Sequence, residues 1–295
     1  KCNTILKVRL KKKLKIEKIL KNKVILVTGG GGSIGSAIVK EILRYPIKTA
    51  RVFDTDEYGL FKLKREVNDP RLRLLLGNIL DRERVNIAGN NVDIVIHAAA
   101  VKNIEITEFN AIETIDVNIN GTVNMIKMAI EKQPEKFLYI STDKAADNST
   151  LYGTTKQLGE RLVRWAGVHV EKMKIGSVRF GNVIETKGNV FEVWNEEVRK
   201  GKPLSITDPN MRRYFFHIDE AVEFTLECLT QMKEGEIFVP KMEAQSIREL
   251  ALKISKKHKI IGLRPGEKIE EILMTDAERK IAIEKDKMWV IKNKF

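Results

Sequence analysis

The sequence predicts an α/β fold with a doubly wound parallel sheet followed by a smaller C-terminal lobe. Three observations lead to this prediction: strand-like apolar runs alternate with helical stretches over residues 23–180, a glycine-rich turn follows the first run, and the alternation ends after Gly181. The 295 residues, of which 43% are hydrophobic and 32% charged, suffice for one large domain with a smaller lobe.

The predicted strands are short apolar runs, and the stretches between them carry apolar residues at helical spacing. Because parallel strands with right-handed crossovers end at one edge of the sheet, the loops after the strands meet at a common ligand-binding edge. The predicted strands are 23–28, 49–54, 72–76, 92–97, 136–141 and 174–179, and the predicted helices are 33–44, 57–67, 110–132 and 152–168. In the C-terminal part, helices at 218–232 and 246–256 flank a strand at 236–239.

Composition and charge exclude several classes of protein. The net charge of +13 favours a lysine-rich solvated surface, with nucleotide phosphates or an anionic membrane as alternative partners; no segment resembles a nucleic-acid module. The two cysteines, Cys2 and Cys228, lack metal-ligand spacing, so we expect no metal and a reducing, cytoplasmic location. No apolar run could cross a membrane, and membrane association is expected only through a segment upstream of residue 1.

A glycine turn after the first strand predicts a site for a nicotinamide dinucleotide. Gly29, Gly32 and Gly35 are three residues apart, and they permit a tight turn, close approach of a pyrophosphate, and close packing of the following helix. Ser33 and Ile34 begin that helix, whose N-terminus faces the phosphates.

The ends of the next strands complete the predicted cofactor site. Asp54 ends the second strand, where a carboxylate accepts hydrogen bonds from ribose hydroxyls and repels a 2′-phosphate, which favours NAD over NADP. Asn78 and Ile79 follow the third strand, near the expected adenine. Ala98 and Ala99 follow the fourth strand and leave room for a flat cofactor.

The candidate catalytic residues follow the fifth strand. Tyr152 and Lys156 share one helix face, and Thr142 ends the preceding strand, which is the Ser/Thr-Tyr-Lys arrangement that removes an alcohol proton while hydride leaves the carbon. A neighbouring ammonium and a nicotinamide cation would favour the tyrosine phenolate. Asp143 and Lys144 add an acid beside a base, which indicates either a second proton transfer or a surface ion pair.

These motifs resemble those of the extended short-chain dehydrogenase/reductases, and within them the UDP-N-acetylglucosamine 4,6-dehydratases. The inverting enzymes of pseudaminic-acid-type pathways are the most similar group, followed by larger membrane-anchored polysaccharide proteins, which residues 10–23 resemble in their linker. The similarity covers about residues 23–292 and includes, in order, TGGGGSIG, HAAAVKN, STDKA, LYGTTK, VRFGNV, ITDPNMRRYF, GEIFVPK and LRPGEK.

The resemblance implies a role for each catalytic candidate. Tyr152 would take the proton from the sugar 4-hydroxyl, Lys144 would remove the proton on carbon 5, and Asp143 would protonate the departing 6-hydroxyl. Lys156 would bind the nicotinamide ribose, and the cofactor, NAD(P), would stay tightly bound and be recycled. For Lys144 to act as a base, its pKa must fall from about 10.4 through burial or nearby cations, such as Lys102.

The resemblance also implies the substrate site and the domain division. Asn182, Arg213 and Arg264 match positions that hold a UDP diphosphate, with Lys102 nearby, whereas Asn78 replaces a usual aspartate. Related proteins form dimers or larger oligomers, and we expect residues 110–132 and 152–168 to form the contact. We assign 1–22 to a basic extension, as an amphipathic helix or extended arm, 23–180 to a Rossmann domain, and 181–295 mainly to a sugar-nucleotide lobe, with about 216–240 returning to the Rossmann core.

Two other functions stay open at this point. A UDP-hexose 4-epimerase shares Thr142, Tyr152 and Lys156 but needs no acid–base pair at carbons 5 and 6. A non-catalytic scaffold that retains the fold would not need the Thr-Tyr-Lys set. Asp143 and Lys144 therefore discriminate between a dehydratase and an epimerase, and the intact Thr-Tyr-Lys set argues against a scaffold.

Overall fold

The computed structural model describes residues 2–264 and 266–293, with side chains described from residue 10 onward. The helices are α1 Cys2–Leu20, α2 Ser33–Ile42, α3 Glu57–Glu66, α4 Arg82–Ala88, α5 Ile104–Phe109, α6 Ala111–Ile115, α7 Gly121–Lys132, α8 Leu151–His169, α9 Val190–Arg199, α10 Ile218–Gln231, α11 Ile247–Ile254 and α12 Asp276–Ile281. A π-helical turn at Asp116–Asn120 separates α6 from α7, and a 3-10 turn at Asp143–Ala145 precedes α8.

The centre of the molecule is a nine-stranded sheet in the order β13-β14-β10-β6-β5-β4-β1-β2-β3. Strands β1–β6 and β10 run parallel to one another. At the edge beside β10, β14 runs antiparallel to both of its neighbours, β10 and β13. The strands are β1 Val24–Thr28, β2 Thr49–Asp54, β3 Leu72–Leu76, β4 Ile94–His97, β5 Lys136–Thr142, β6 Lys174–Phe180, β7 Asn182–Val183, β8 Leu204–Ile206, β9 Arg212–Phe216, β10 Glu234–Pro240, β11 Ala244–Ser246, β12 His258–Ile260, β13 Ala282–Glu284 and β14 Met288–Ile291. The predicted doubly wound parallel sheet is confirmed.

Helices cover both faces of this sheet, which explains why its inner strands are continuously apolar. Side chains of α1, α2, α3 and α10 form the core on one face, and side chains of α4, α7 and α8 form the core on the other. All five residues of β1 and all seven of β5 are buried. The loops that line the site therefore start from strands that are covered on both faces of the sheet.

The C-terminal lobe is built from two small sheets, β11-β9-β7 and β12-β8, and from α9 and α11. Its own apolar core is centred on the fully buried Trp194, packed with Leu204, Ile206 and Met211. β10 and β14 leave the lobe and join the central sheet beside β6. The division into a cofactor-binding part and a substrate-binding part stays a prediction.

The N-terminal segment forms a helix, α1, and not an extended arm. Ile16 and Leu20 are buried against the core, and Lys12 forms ion pairs with Glu223 and Glu227 on α10. Within the described residues, none of the helices combines the length and the apolar character that a membrane span requires.

The predicted helix 110–132 is interrupted, because five of its residues form the π-helical turn. This wide turn contains Asn118, whose amide oxygen accepts a hydrogen bond from the backbone N–H of Val101 at 2.8 Å and whose amide nitrogen donates to the Val101 carbonyl at 2.9 Å. The amide nitrogen also donates to the Thr155 hydroxyl at 3.0 Å. The turn thus ties the loop after β4 to α8, and both line the candidate site.

A buried ion network fixes α8 against the C-terminal segment. The guanidinium of Arg179 on β6 is 1% exposed; it donates to both carboxylate oxygens of Glu160 at 2.9 and 2.6 Å and to both of Glu278 at 2.9 and 2.8 Å. It also donates to the Leu273 carbonyl at 3.0 Å. Such bidentate pairs are geometrically specific, so the network sets the position of each element it joins.

We predict that Arg179→Met destabilises the fold by about 3–5 kcal/mol, because Glu160 is left buried without its cationic partner. Chemical denaturation measures this loss. The control is Lys200→Ala, which removes a solvent-exposed partner of Glu196 and should change stability by about 0.5 kcal/mol at most. Equal, small effects of the two substitutions would contradict the role given to the network.

Candidate active site

The loops at the carboxyl ends of the parallel strands line a cleft of about 720 Å³ that extends under the C-terminal lobe. This is the edge at which doubly wound sheets bind ligands. The structure brings every predicted site residue to this one cleft: Gly29, Gly32, Ser33, Ile34, Gly35, Asp54, Asn78, Ile79, Ala98, Ala99, Lys102, Thr142, Asp143, Lys144, Tyr152, Lys156, Asn182, Arg213 and Arg264.

The glycine turn has the backbone geometry that only glycine allows. Gly29 has a φ of +67°, and a Cβ there would lie 2.6 Å from the backbone nitrogen of Ala99. A Cβ on Gly35 would lie 2.2 Å from the carbonyl oxygen of Gly29. Gly32 precedes α2, and a Cβ there would meet only the Gly29 carbonyl, at 3.2 Å. The first and third glycines are therefore required for the turn itself, and the second leaves its outer side open.

Asp54 holds the same turn from the end of β2. One carboxylate oxygen accepts a hydrogen bond from the Gly31 N–H at 2.8 Å, and the other accepts from the Asp56 N–H at 2.9 Å. At the end of β3, the side-chain oxygen of Asn78 accepts from the Leu80 N–H at 2.9 Å. Both side chains are thus fixed by backbone donors at the predicted adenosine end of the cleft.

Asp143 and Lys144 stand where β5 ends and turns into the 3-10 turn. The buried carboxyl of Asp143 accepts, on Oδ1, hydrogen bonds from the Thr142 hydroxyl at 2.8 Å, the Lys144 N–H at 2.9 Å and Lys144 Nζ at 3.2 Å. The acid and the base therefore touch each other inside the cleft, which rules out a solvent-exposed surface ion pair.

Glu271 completes this cluster, and the sequence analysis missed it. Its Oε1 lies 3.0 Å from Lys144 Nζ and 3.4 Å from Arg213 Nε, and its side chain is 10% exposed. It lies in an irregular loop of the lobe. Up to 128 positions along the chain separate it from the residues that it contacts in the folded protein. The one signal in the sequence is an acidic residue directly before the apolar residues 272–274.

The pKa of Lys144 is raised, and the prediction that it is lowered was wrong. Burial by itself lowers the pKa of this ammonium, but the negative charges of Asp143 and Glu271 outweigh burial. Lys102, the expected neighbouring cation, donates to the Lys187 carbonyl at 3.0 Å. Two carboxylates, and not a second cation, dominate the surroundings of Lys144.

The two carboxyl groups of the cluster differ in acidity. Burial raises the pKa of Asp143 to about 7, with Lys144 opposing the rise and Glu271 adding to it. For Glu271, burial also acts to raise the pKa, but Lys144, Asp143 and Arg213 together lower it to about 2. The pKa of Glu271 is therefore lowered and that of Asp143 is raised, so of the two carboxyl groups Asp143 has the higher proton affinity.

Tyr152 and Lys156 occupy one face of the first turns of α8. Thr150 caps this helix by accepting a hydrogen bond from the Gly153 N–H at 3.1 Å. Burial lowers the pKa of Lys156 to about 7, and its Nζ lies 3.9 Å from the centroid of the Tyr139 ring. Burial raises the pKa of Tyr152 to about 12; the Lys144 ammonium acts in the expected direction but does not outweigh burial.

The predicted substrate residues differ in how free they are. Arg264 is half exposed and pairs with Glu105 at 3.1 Å, and Asn182 places its side-chain oxygen 3.4 Å from Lys144 Nζ. Arg213 is buried, and its guanidinium donates to the carbonyls of residues 212, 268 and 269 at 2.7–3.0 Å. Arg213 therefore holds the loop that carries Glu271.

The fold and this site define a member of a known family. The sequence profile described as "Polysaccharide biosynthesis protein" matches residues 25–293. The chain belongs to this family.

Particular relatives have more specific names. The chain is 36% identical to the UDP-N-acetylglucosamine 4,6-dehydratase (inverting) of Campylobacter jejuni, over 91% of this chain and 82% of the relative. It is 40% identical to an uncharacterized membrane protein of Methanocaldococcus jannaschii, over 94% and 87%. It is 31% identical to the UDP-glucose 4-epimerase of Rickettsia rickettsii, over 87% and 79%.

A solved structure has the same architecture. The X-ray structure of Pen from Bacillus thuringiensis superimposes with a TM-score of 0.88 at 34% identity, over 92% of this chain and 89% of that one.

Proposed function

We propose that this protein is a nucleotide-sugar 4,6-dehydratase that converts UDP-N-acetylglucosamine to a UDP-4-keto-6-deoxy-N-acetylhexosamine for surface-glycan synthesis. The observation that carries the proposal is the contact between Asp143 and Lys144, an acid and a base buried beside Thr142, Tyr152 and Lys156. The inverting dehydratase from Campylobacter jejuni, similar over most of the chain, supports the same activity.

The cleft fits a nicotinamide dinucleotide. The turn at Gly29 and Gly35 is closed so tightly that a side chain could not be added, while Gly32 opens towards the cleft at the N-terminus of α2. When bound, the nicotinamide would supply the hydride chemistry, accepting hydride from carbon 4 and returning it to carbon 6, so that it is recycled in every turnover.

The side chains perform the first proton transfer at carbon 4. Tyr152 removes the proton of the 4-hydroxyl, while the hydroxyl of Thr142 hydrogen-bonds the same substrate oxygen. Because burial raises the pKa of Tyr152 to about 12, positive charge at the nicotinamide and at Lys144 is needed to favour the phenolate. Lys156, which is buried behind Tyr152 on the same helix face, binds the nicotinamide ribose.

The second pair of proton transfers eliminates water. The 4-ketone acidifies carbon 5; Lys144 Nζ takes the carbon-5 proton, the electron pair forms the bond between carbons 5 and 6, and Asp143 protonates the departing 6-hydroxyl. This step needs a neutral Lys144 and a protonated Asp143. A single proton transfer from Lys144 Nζ to Asp143 Oδ1, across 3.2 Å, converts the ion pair into that reactive form.

Positive side chains at the lobe side of the cleft hold the UDP diphosphate in this proposal. Lys102 and Arg264 are accessible, and Asn182 lines the same cleft. Arg213 contributes its positive charge and its hold on the loop that carries Glu271. We place the reaction in the cytoplasm, where a free thiol such as buried Cys228 stays reduced.

A UDP-hexose 4-epimerase is the second candidate, because oxidation at carbon 4 uses the same Thr142, Tyr152 and Lys156 and because a Rickettsia relative has that name. Epimerisation leaves the hydrogens of carbons 5 and 6 in place. A buried acid–base pair would then have no reaction to perform, which favours the dehydratase.

We predict that Asp143→Asn and Lys144→Ala each lower dehydration of UDP-N-acetylglucosamine by at least about 100-fold, because each removes one proton-transfer group. Oxidation at carbon 4 should continue slowly in both. Proton NMR of the 6-methyl product and the absorbance of reduced nicotinamide measure the two steps. Lys200→Ala, on the surface, is the control; normal dehydration by both site variants would refute these roles.

We predict that NAD binds at least about ten-fold more tightly than NADP, since the Asp54 carboxylate repels a 2′-phosphate. The two nearby cations are engaged elsewhere: Arg51 donates to the carbonyls of Ala88 and Asn90, and Lys62 lies 3.8 Å from Glu66. Calorimetric titration with each dinucleotide measures the ratio, which Asp54→Asn should reduce. Tighter binding of NADP would contradict this assignment.

We propose that two copies of this chain pair through α5, α6 and α8, whose outer faces carry Phe109, 92% exposed, Ile112, 74% exposed, and Trp165, 44% exposed. Sedimentation equilibrium should find a dimer at micromolar concentration. Phe109→Glu should shift it towards the monomer, whereas Tyr58→Glu, at an exposed aromatic residue of α3, should not. A wild-type monomer would exclude this interface.

A further inference from the structure

Four charged groups are packed together at the reacting end of the cleft. The side chains of Asp143, Lys144, Arg213 and Glu271 are 0%, 16%, 9% and 10% exposed. Burial of so many charges is costly unless each is paired, so their arrangement constrains where protons can reside.

Two oxygens of this cluster have no donor among the described residues. They are Asp143 Oδ2 and Glu271 Oε2, and both are fully buried. The two carboxyl groups flank one ammonium, with Asp143 Oδ1 at 3.2 Å and Glu271 Oε1 at 3.0 Å from Lys144 Nζ. Two carboxylates held on one ammonium repel each other, and one proton held between them would relieve this repulsion and offer the orphan oxygens a partner.

The other contacts decide which carboxyl group carries the proton. Glu271 faces two cations, Lys144 Nζ at 3.0 Å and Arg213 Nε at 3.4 Å, which stabilise its ionised form. Asp143 faces one cation, Lys144 Nζ at 3.2 Å, and one neutral donor, the hydroxyl of Thr142. The proton therefore belongs to Asp143, with Glu271 as its acceptor.

We propose that Glu271 is a positioning residue that favours a proton on Asp143 through a carboxyl–carboxylate hydrogen bond, so that Asp143 can accept the proton of Lys144 and then pass it to the leaving 6-hydroxyl. This inference rests on the proposed dehydratase function. Glu271 does not itself exchange a proton with the sugar. It acts by its negative charge and by the direction of its hydrogen bond.

The backbone around Glu271 is held on both sides, as a positioning role requires. Before it, Arg213 donates to the carbonyls of Lys268 and Ile269 at 2.7 and 3.0 Å. After it, Arg179 donates to the carbonyl of Leu273 at 3.0 Å. The loop that carries Glu271 is thus held by two buried arginines, Arg213 and Arg179.

An infrared titration of the protein alone tests this inference. We expect the C=O band of a buried protonated carboxyl to titrate near neutral pH in the wild type and to be lost in Asp143→Asn. In Glu271→Gln the midpoint should fall by at least about one pH unit, since the negative charge that retains the proton is gone. Glu270→Gln, the same change at the exposed neighbour, should leave the midpoint unchanged.

Several other groups face the pair and remain in place in this comparison. Lys144 and Tyr152 face Asp143, Lys144 and Arg213 face Glu271, and Lys102 acts on Lys144. An unchanged midpoint in Glu271→Gln would overturn the inference. If that variant does not fold, the wild type and Asp143→Asn decide. The inference would equally be overturned if the wild type lacked a carboxyl band that titrates near neutral pH and disappears in Asp143→Asn.

The pH profile of dehydration gives a second readout that a purely structural role would not move. Below the Asp143 midpoint both Asp143 and Lys144 hold protons, so no neutral base remains and the rate falls. Glu271→Gln should shift this acidic limb to lower pH, and Glu271→Asp, which retains the charge, should restore it towards the wild-type position. A lower rate with an unshifted limb would mean only structural damage.

Failure of the proposed function would look different. A wild-type enzyme that forms no 6-deoxy-4-keto sugar would refute the dehydratase, while the infrared midpoints would still report whether Glu271 controls the proton on Asp143.

Discussion

The ammonium of Lys144 lies between the carboxyl groups of Asp143 and Glu271, and the geometry of the cleft depends on this buried contact. It joins the end of β5 to a loop of the C-terminal lobe. The same charged groups therefore hold the two parts together and set the protonation of the proposed acid–base pair. Because the charge states of Asp143 and Lys144 depend on each other, the two proton transfers of the proposed dehydration are coupled before a substrate arrives.

The rest of the molecule holds these groups in position. The covered parallel sheet brings the loops after its strands to one edge. The glycine turn and Asp54 line the predicted adenosine end of the cleft there, and Asp143 and Lys144 line the predicted sugar end. The buried guanidinium of Arg179 then links α8, which carries Tyr152 and Lys156, to the segment that follows Glu271. The helix that carries Tyr152 and Lys156 and the C-terminal lobe are thus fixed by the same side chain.

The sheet and the glycine turn could be predicted because their signals are local: the strand predicted at 49–54 was confirmed residue for residue. The π-helical turn at 116–120 could not be predicted, because it depends on the hydrogen bonds of Asn118 to Val101 in the loop after β4. Glu271 was missed because its partners, Lys144 and Arg213, lie far from it along the chain, and an acidic residue before an apolar run is only a weak signal of a buried ion pair. The direction of the Lys144 pKa was wrong because it depends on that missing carboxylate.

The most direct measurement is proton NMR of the protein with UDP-N-acetylglucosamine in D2O, without added reductant. In the proposed mechanism, the hydrogen on carbon 5 exchanges through Lys144, and carbon 6 is reduced to a methyl group. We predict a new methyl signal and deuterium on carbon 5. Formation of UDP-N-acetylgalactosamine without a methyl signal would contradict it and would assign the site to epimerisation.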